Sequence, residues 1–245
     1  MIRLLFNPGN RGKALLLFVA LWIGGLPGTA MATPVDEVDT AVQRERRPLD
    51  LPAPGRGTDD DDPEPLDQIL FYNQEFEGDG FFFCLDRSGS MNLNGRLETM
   101  KLEFRSTVSQ LSSHAEFGVI TFSTNVTFWS SAPQRAFPAT RAAAANWVEG
   151  LEAIGWTCLS PAGVKTLELA GLSAKRNKQI FILGDGEPIC DGTDTTALCL
   201  QSITAANHED LSIHCLLIGA SSGSAAATFF QTLAAMNRGT FTLVP

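Results

Sequence analysis

Three oxygen-bearing residues, Asp86, Ser88 and Ser90, fall at alternate positions in the stretch Phe81 to Met91, FFFCLDRSGSM. An acid and two hydroxyls at that spacing offer only hard oxygen donors, which suits Mg, Mn or Ca rather than zinc or copper. Two further pieces share this chemistry. Residues 155–162, GWTCLSPA, place a threonine, Thr157, in a loop, and residues 180–188, IFILGDGEP, carry a second acid, Asp185, behind an apolar run. No histidine accompanies them: His114, His208 and His214 are scattered along the chain and read as ordinary surface or strand residues.

Asp86 and Asp185 each end an apolar run with no polar alternation, the pattern of a strand buried on both faces in the middle of a parallel sheet. In open α/β sheets ligands bind outside the carboxyl ends of the strands, where the loops diverge. Two such strands make Asp86 and Asp185 neighbours at a switch point of the sheet. The rest of the chain supplies the elements around them. Leu97, Met100, Phe104, Val108 and Leu111 recur at helical spacing and predict a helix over residues 95–111. Residues 117–122 and 126–129 read as a hairpin turning at Ser123 to Asn125. Helices are expected over 138–151, 161–172, 193–206 and 225–236, and strands over 179–183, 213–218 and 240–244. Residues 69–76 read as an ordered lead-in or short edge strand. This alternation predicts an α/β fold, a doubly wound and mostly parallel sheet with helices on both faces. Neither G-x-G-x-x-G nor G-x-x-x-x-G-K-[ST] is present, so a dinucleotide or nucleotide cofactor is not expected.

Taken together, the three polar pieces resemble the von Willebrand factor A domain, whose metal-ion-dependent adhesion site is assembled from a D-x-S-x-S motif, a threonine and an aspartate in that order. The resemblance covers residues 68–245. It implies a Rossmann-like, six-stranded sheet ordered 3-2-1-4-5-6 with one antiparallel edge strand. It also implies that Ser88, Ser90 and Thr157 offer hydroxyls to Mg2+ (or Mn2+ or Ca2+), while Asp86 and Asp185 act directly or through water. With most direct ligands neutral, the cation would keep its attraction for an Asp or Glu carboxylate of a protein partner, giving metal-dependent recognition or adhesion. A metal-dependent hydrolase is the alternative, with Glu187 as the one nearby base, and a structural domain of an envelope complex is another. No H-E-x-x-H or G-x-S-x-G motif supports catalysis. Two positions depart from the family pattern: Gly184 stands where Thr or Ser is usual, and Trp156 where a small residue is. The indole either packs locally or sits on a binding rim.

Arg3, Arg11 and Lys13 precede an uncharged run with small residues at Ala30 and Ala32. These are the parts of a secretory signal cleaved after Ala32; an uncleaved anchor is the other reading, and only that reading involves a membrane. Both place the remainder outside the cytoplasm, in the periplasm, on the cell surface or secreted. Residues 33–67 hold eleven acidic against four basic residues and are rich in proline, the composition of a flexible linker. Its Asp59 to Asp62 run serves as a solvated spacer or as a tethered metal ligand. A formal net charge of -9 argues against nucleic acid as a partner. Of the five cysteines, Cys84 and Cys215 lie in apolar strands and read as packed thiols. A disulfide between Cys190 and Cys199 is expected, with Cys158 as the competitor for Cys190.

Overall fold

A computed structural model describes residues 66–245. The signal or anchor expected over residues 1–32 and all but the last two residues of the linker expected over 33–67 lie outside the described residues; Asp67 already belongs to the first strand. Among those described, no helix is long and apolar enough to cross a membrane.

The described residues open with β1 (Asp67–Phe71) and β2 (Gln74–Gly78), an antiparallel pair joined at Tyr72 and Asn73. Both turn residues have positive φ, 49° and 60°, the conformation of a two-residue hairpin turn whose twist matches its strands. β3 (Gly80–Asp86) follows, then a 3-10 segment over Gly89–Gly95 that kinks at Asn94, then α1 (Arg96–Ser109). β4 (Glu116–Phe122), β5 (Val126–Phe128) and the two-residue β6 (Gln134–Arg135) lead to α2 (Pro138–Glu149) and α3 (Leu159–Gly171). β7 (Lys178–Gly184) is followed by a small hairpin, β8 (Ile189–Cys190) with β9 (Thr193–Asp194), and by α4 (Thr196–Ala206). β10 (Ser212–Ile218), α5 (Ala225–Met236) and β11 (Phe241–Val244) complete the chain.

The main sheet runs β11-β10-β7-β3-β4-β5. Its strands are parallel except β5 and β6, which both pair antiparallel with β4. In chain order among its six principal strands this is the expected 3-2-1-4-5-6. β6 makes a seventh strand because β5 stops after three residues, leaving Glu116 and Phe117 of β4 free to pair with Arg135 and Gln134. The apolar runs are continuous because each face of the sheet has its own core. Phe81, Phe83 and Leu85 point with Phe181 and Leu183 toward α1, α2 and the β1-β2 hairpin. Phe82 and Cys84 point with Ile180 and Ile182 toward α3, α4 and α5.

Of the two readings of residues 69–76, an ordered lead-in or a short edge strand, the β1-β2 hairpin is the first. It forms its own two-stranded sheet and lies on the face of the main one. Phe76 meets the Phe181 ring edge-on at 4.8 Å and Phe71 meets Phe83 edge-on at 5.6 Å. Alternation within Gln68–Phe71 and Gln74–Phe76 therefore serves a packed face, which a sequence pattern does not distinguish from an edge. The helix expected over residues 193–206 also begins later, at Thr196, because Thr193 and Asp194 close the β8-β9 hairpin.

Candidate metal site

The crevice grows directly out of two strand ends. β3 and β7 are paired in parallel, Leu85 opposite Leu183, so that Asp86 at the end of β3 and Asp185 just past β7 emerge side by side. Beyond Asp86 the chain turns sharply: the Ser88 amide donates back to Asp86 Oδ1 at 2.6 Å. This tight turn and the 3-10 segment after it carry the Ser90 hydroxyl to Asp185 Oδ1, at 2.8 Å, with Ser88 Oγ and Ser90 Oγ 3.1 Å apart. Four of the five expected residues, Asp86, Ser88, Ser90 and Asp185, thus form one hydrogen-bonded cluster.

Thr157 arrives on a separate loop that is tied to this cluster by its backbone. The Ile154 amide donates to Arg87 O at 2.8 Å and the Gly89 amide to Gly155 O at 3.0 Å. Gly155 has φ +79°, and a side chain there would come within 2.5 Å of Thr124 Oγ1, so glycine is needed for the loops to meet. Thr157, two residues on, is half-buried, and its amide donates to Ile189 O at 2.8 Å.

That last contact explains the disulfide, which joins Cys158 to Cys190 and not Cys190 to Cys199 as expected. Pairing of the Thr157 amide with Ile189 brings the two following cysteines to a Cα separation of 4.6 Å, within bonding range. Cys199 instead points from α4 into the core and is fully buried. Cys84 and Cys215 are free and buried, as small apolar side chains.

Electrostatics set the two acids apart. Asp86 is completely buried, and its pKa is pushed up to about 7, first by burial and then by the neighbouring Asp185. Among the described residues its Oδ2 is buried without a hydrogen-bond partner. Gly184 lies against that oxygen: a Cβ there would sit 3.3 Å from it and 2.9 Å from the Phe230 ring, too close for a Ser or Thr side chain unless the ring shifts. Asp185 is compensated. Arg96 Nη1, at the start of α1, donates to its Oδ2 at 2.9 Å, while Arg96 Nη2 donates to Gly219 O at 2.8 Å. Sequence reasoning missed Arg96, since a basic residue beginning a helix carries no signature of its own.

A doubly wound domain with two acids and a set of hydroxyls at its switch point is thus defined by fold and site together. A family profile described as von Willebrand factor type A domain matches residues 81–243, and the chain belongs to that family. No curated protein matches the chain. Among solved structures it is similar to von Willebrand factor type A from Catenulispora acidiphila, with a TM-score of 0.59 and 19% identity over 70% of this chain and 40% of that one. It is also similar to the pilus adhesin SpaC from Lactobacillus rhamnosus GG in its open conformation, with a TM-score of 0.56 and 15% identity over 69% of this chain and 28% of that one. The vWF domain of the type V pili tip protein Mfa5 from Porphyromonas gingivalis gives a TM-score of 0.58 and 9% identity over 72% of this chain and 90% of that one. The chain therefore spans less than half of the first two structures, and at these identities the likeness is one of fold.

Proposed function

We propose that the chain is an exported module that takes up a divalent cation, Mg2+ or else Mn2+ or Ca2+, in the crevice between Asp86 and Asp185 and binds a protein partner through an Asp or Glu carboxylate. The observation that carries this reading is the pair of buried carboxylates on adjacent strand ends, one of which keeps a bare oxygen. Burying like charges together is costly unless positive charge faces them. Arg96 faces Asp185, whereas Asp86 Oδ2 has no partner among the described residues. The donors are those that Mg and Ca accept: two carboxylates and the hydroxyls of Ser88 and Ser90, with Thr157 on the adjoining loop. A bound cation would supply the missing charge and an open position for an anionic oxygen. Recognition of this kind requires no general base, and we propose no turnover; Glu187 is then an exposed rim carboxylate.

Export is supported by the Cys158–Cys190 bridge, a bond that persists in oxidising compartments. SpaC and Mfa5 are pilus proteins; their likeness carries the fold, and the adhesive role is proposed here from the chemistry of the crevice. Calorimetric titration of Mg2+ and Mn2+ into the metal-free protein tests the reading. Ser90→Ala and Thr157→Ala should keep the far-UV circular dichroism of the parent and lose cation affinity by about tenfold or more. Absence of heat with Mg2+, Mn2+ and Ca2+ at millimolar concentration would sink it.

A further inference from the structure

Three large apolar side chains stand in solvent on the loops that close the crevice: Ile154 at 58% exposure, Trp156 at 47% and Ile189 at 38%. Single exposed hydrophobics are ordinary on a protein surface, but these share two loops that are bonded to each other. The backbone beneath them is pinned at every step. The Ile154 amide is held by Arg87 O, the Trp156 amide donates to Thr124 Oγ1 at 3.0 Å, and Ile189 O receives the Thr157 amide. The disulfide joins the residue two beyond Trp156 to the residue after Ile189. A backbone held in this way costs little further ordering when something packs on its side chains, which favours a binding rim over a loose surface loop. The same loops carry charge of one sign. Glu187, Asp191 and Asp194 are exposed on the β8-β9 hairpin and its approach.

We infer that Ile154, Trp156 and Ile189 form a docking rim for a polypeptide whose large apolar side chain packs on Trp156 beside the carboxylate that enters the crevice, and whose flanking basic residue faces Glu187, Asp191 and Asp194. Charge complementarity selects this occupant. A wholly acidic segment would be repelled by the three hairpin carboxylates, whereas one acid set among apolar and basic neighbours satisfies both the crevice and its rim. The inference rests on the metal-dependent reading above and adds the partner's side-chain pattern to it.

Selection of a displayed random-peptide library on the intact chain in Mg2+ tests it, with cation affinity measured separately by calorimetry. Selected peptides should carry an acid with an aromatic or branched aliphatic residue within three positions and a net basic flank. Trp156→Ala should weaken their binding about tenfold or more with unchanged Mg2+ affinity, and Trp156→Phe should restore most of it. Ile154→Ser provides a second variant outside the disulfide-bearing turn and should weaken the same peptides. Peptides selected for an acid alone, or bound equally by Trp156→Ala, would overturn the rim and leave the metal-dependent reading standing. Peptides bound without an acid, or equally well in chelator, would overturn both, as would a library that yields no binder to a protein shown to hold Mg2+.

Discussion

Asp86 is the residue on which the electrostatics of the crevice turn, because burial beside Asp185 makes its charged carboxylate unfavourable. The folded-state pKa of about 7 lies above the ordinary 3.8, so the folded protein holds a proton that the unfolded chain releases. Stability from this group is therefore full below about pH 4 and is lost as pH rises toward 7, by on the order of 4 kcal/mol at most. His214 acts in the opposite sense. Burial lowers its pKa to about 4, and its Nδ1 accepts the Thr240 amide, so acid below pH 6.5 destabilises the fold. Comparison with Asp86→Asn separates the two effects. In chelator, urea unfolding should show the parent losing stability relative to Asp86→Asn between pH 5 and 7.5, and Mg2+ should abolish that loss for the parent only. Equal pH profiles in chelator would count against a bare carboxylate at this position. The clustering of Asp86, Ser88, Ser90 and Asp185 was legible in the sequence because an acid and hydroxyls at fixed spacing have few structural uses at a strand end. Arg96 was not, since its partners Asp185 and Gly219 lie 89 and 123 residues away.

At the level of elements, the central strands were legible for a physical reason: burial on both faces removes polar alternation, and Phe81 to Leu85 and Ile180 to Leu183 have none. The loops were not legible to the same degree. Spacing along the chain suggested a short bridge from Cys190 to Cys199, while the structure closes a longer loop by pairing Thr157 with Ile189 across the crevice. With a sequence separation of 32, the Cys158–Cys190 bond should contribute about 3 to 4 kcal/mol by restraining the unfolded chain. Reduction, or Cys158→Ser with Cys190→Ser, should lower the urea midpoint accordingly. Because the bond also fixes the Thr157 loop, the same change should weaken Mg2+ binding. Cys199→Ser should leave Mg2+ binding alone, since that thiol faces the core between α3 and α4. Peptide mapping without reductant checks the pairing directly.

For the whole molecule, the place where the described chain enters the sheet bears on how much chain the domain needs. Asp67 enters beside the amino end of β3, where its carboxylate accepts the Ser112 amide at 2.6 Å, and the crevice opens at the opposite end of the sheet. A chain begun at Leu66 keeps the whole crevice and should bind Mg2+ as the full chain does. The hairpin that follows is a different matter. Ile69, Phe71 and Phe76 are buried against the sheet, and each such side chain contributes roughly 1.5 to 3 kcal/mol. Their sum, about 5 to 9 kcal/mol, is comparable to the 5 to 15 kcal/mol by which a typical domain is stable. A chain begun at Gly80 keeps every residue of the crevice and every strand of the main sheet, yet it should be unfolded or molten, with Phe83 and Phe181 left in water. Thermal unfolding of the two truncated chains decides the matter: a cooperative transition in both, at similar temperature, would mean that the hairpin only decorates the sheet, whereas its loss in the shorter chain alone would make residues 67–78 part of the fold.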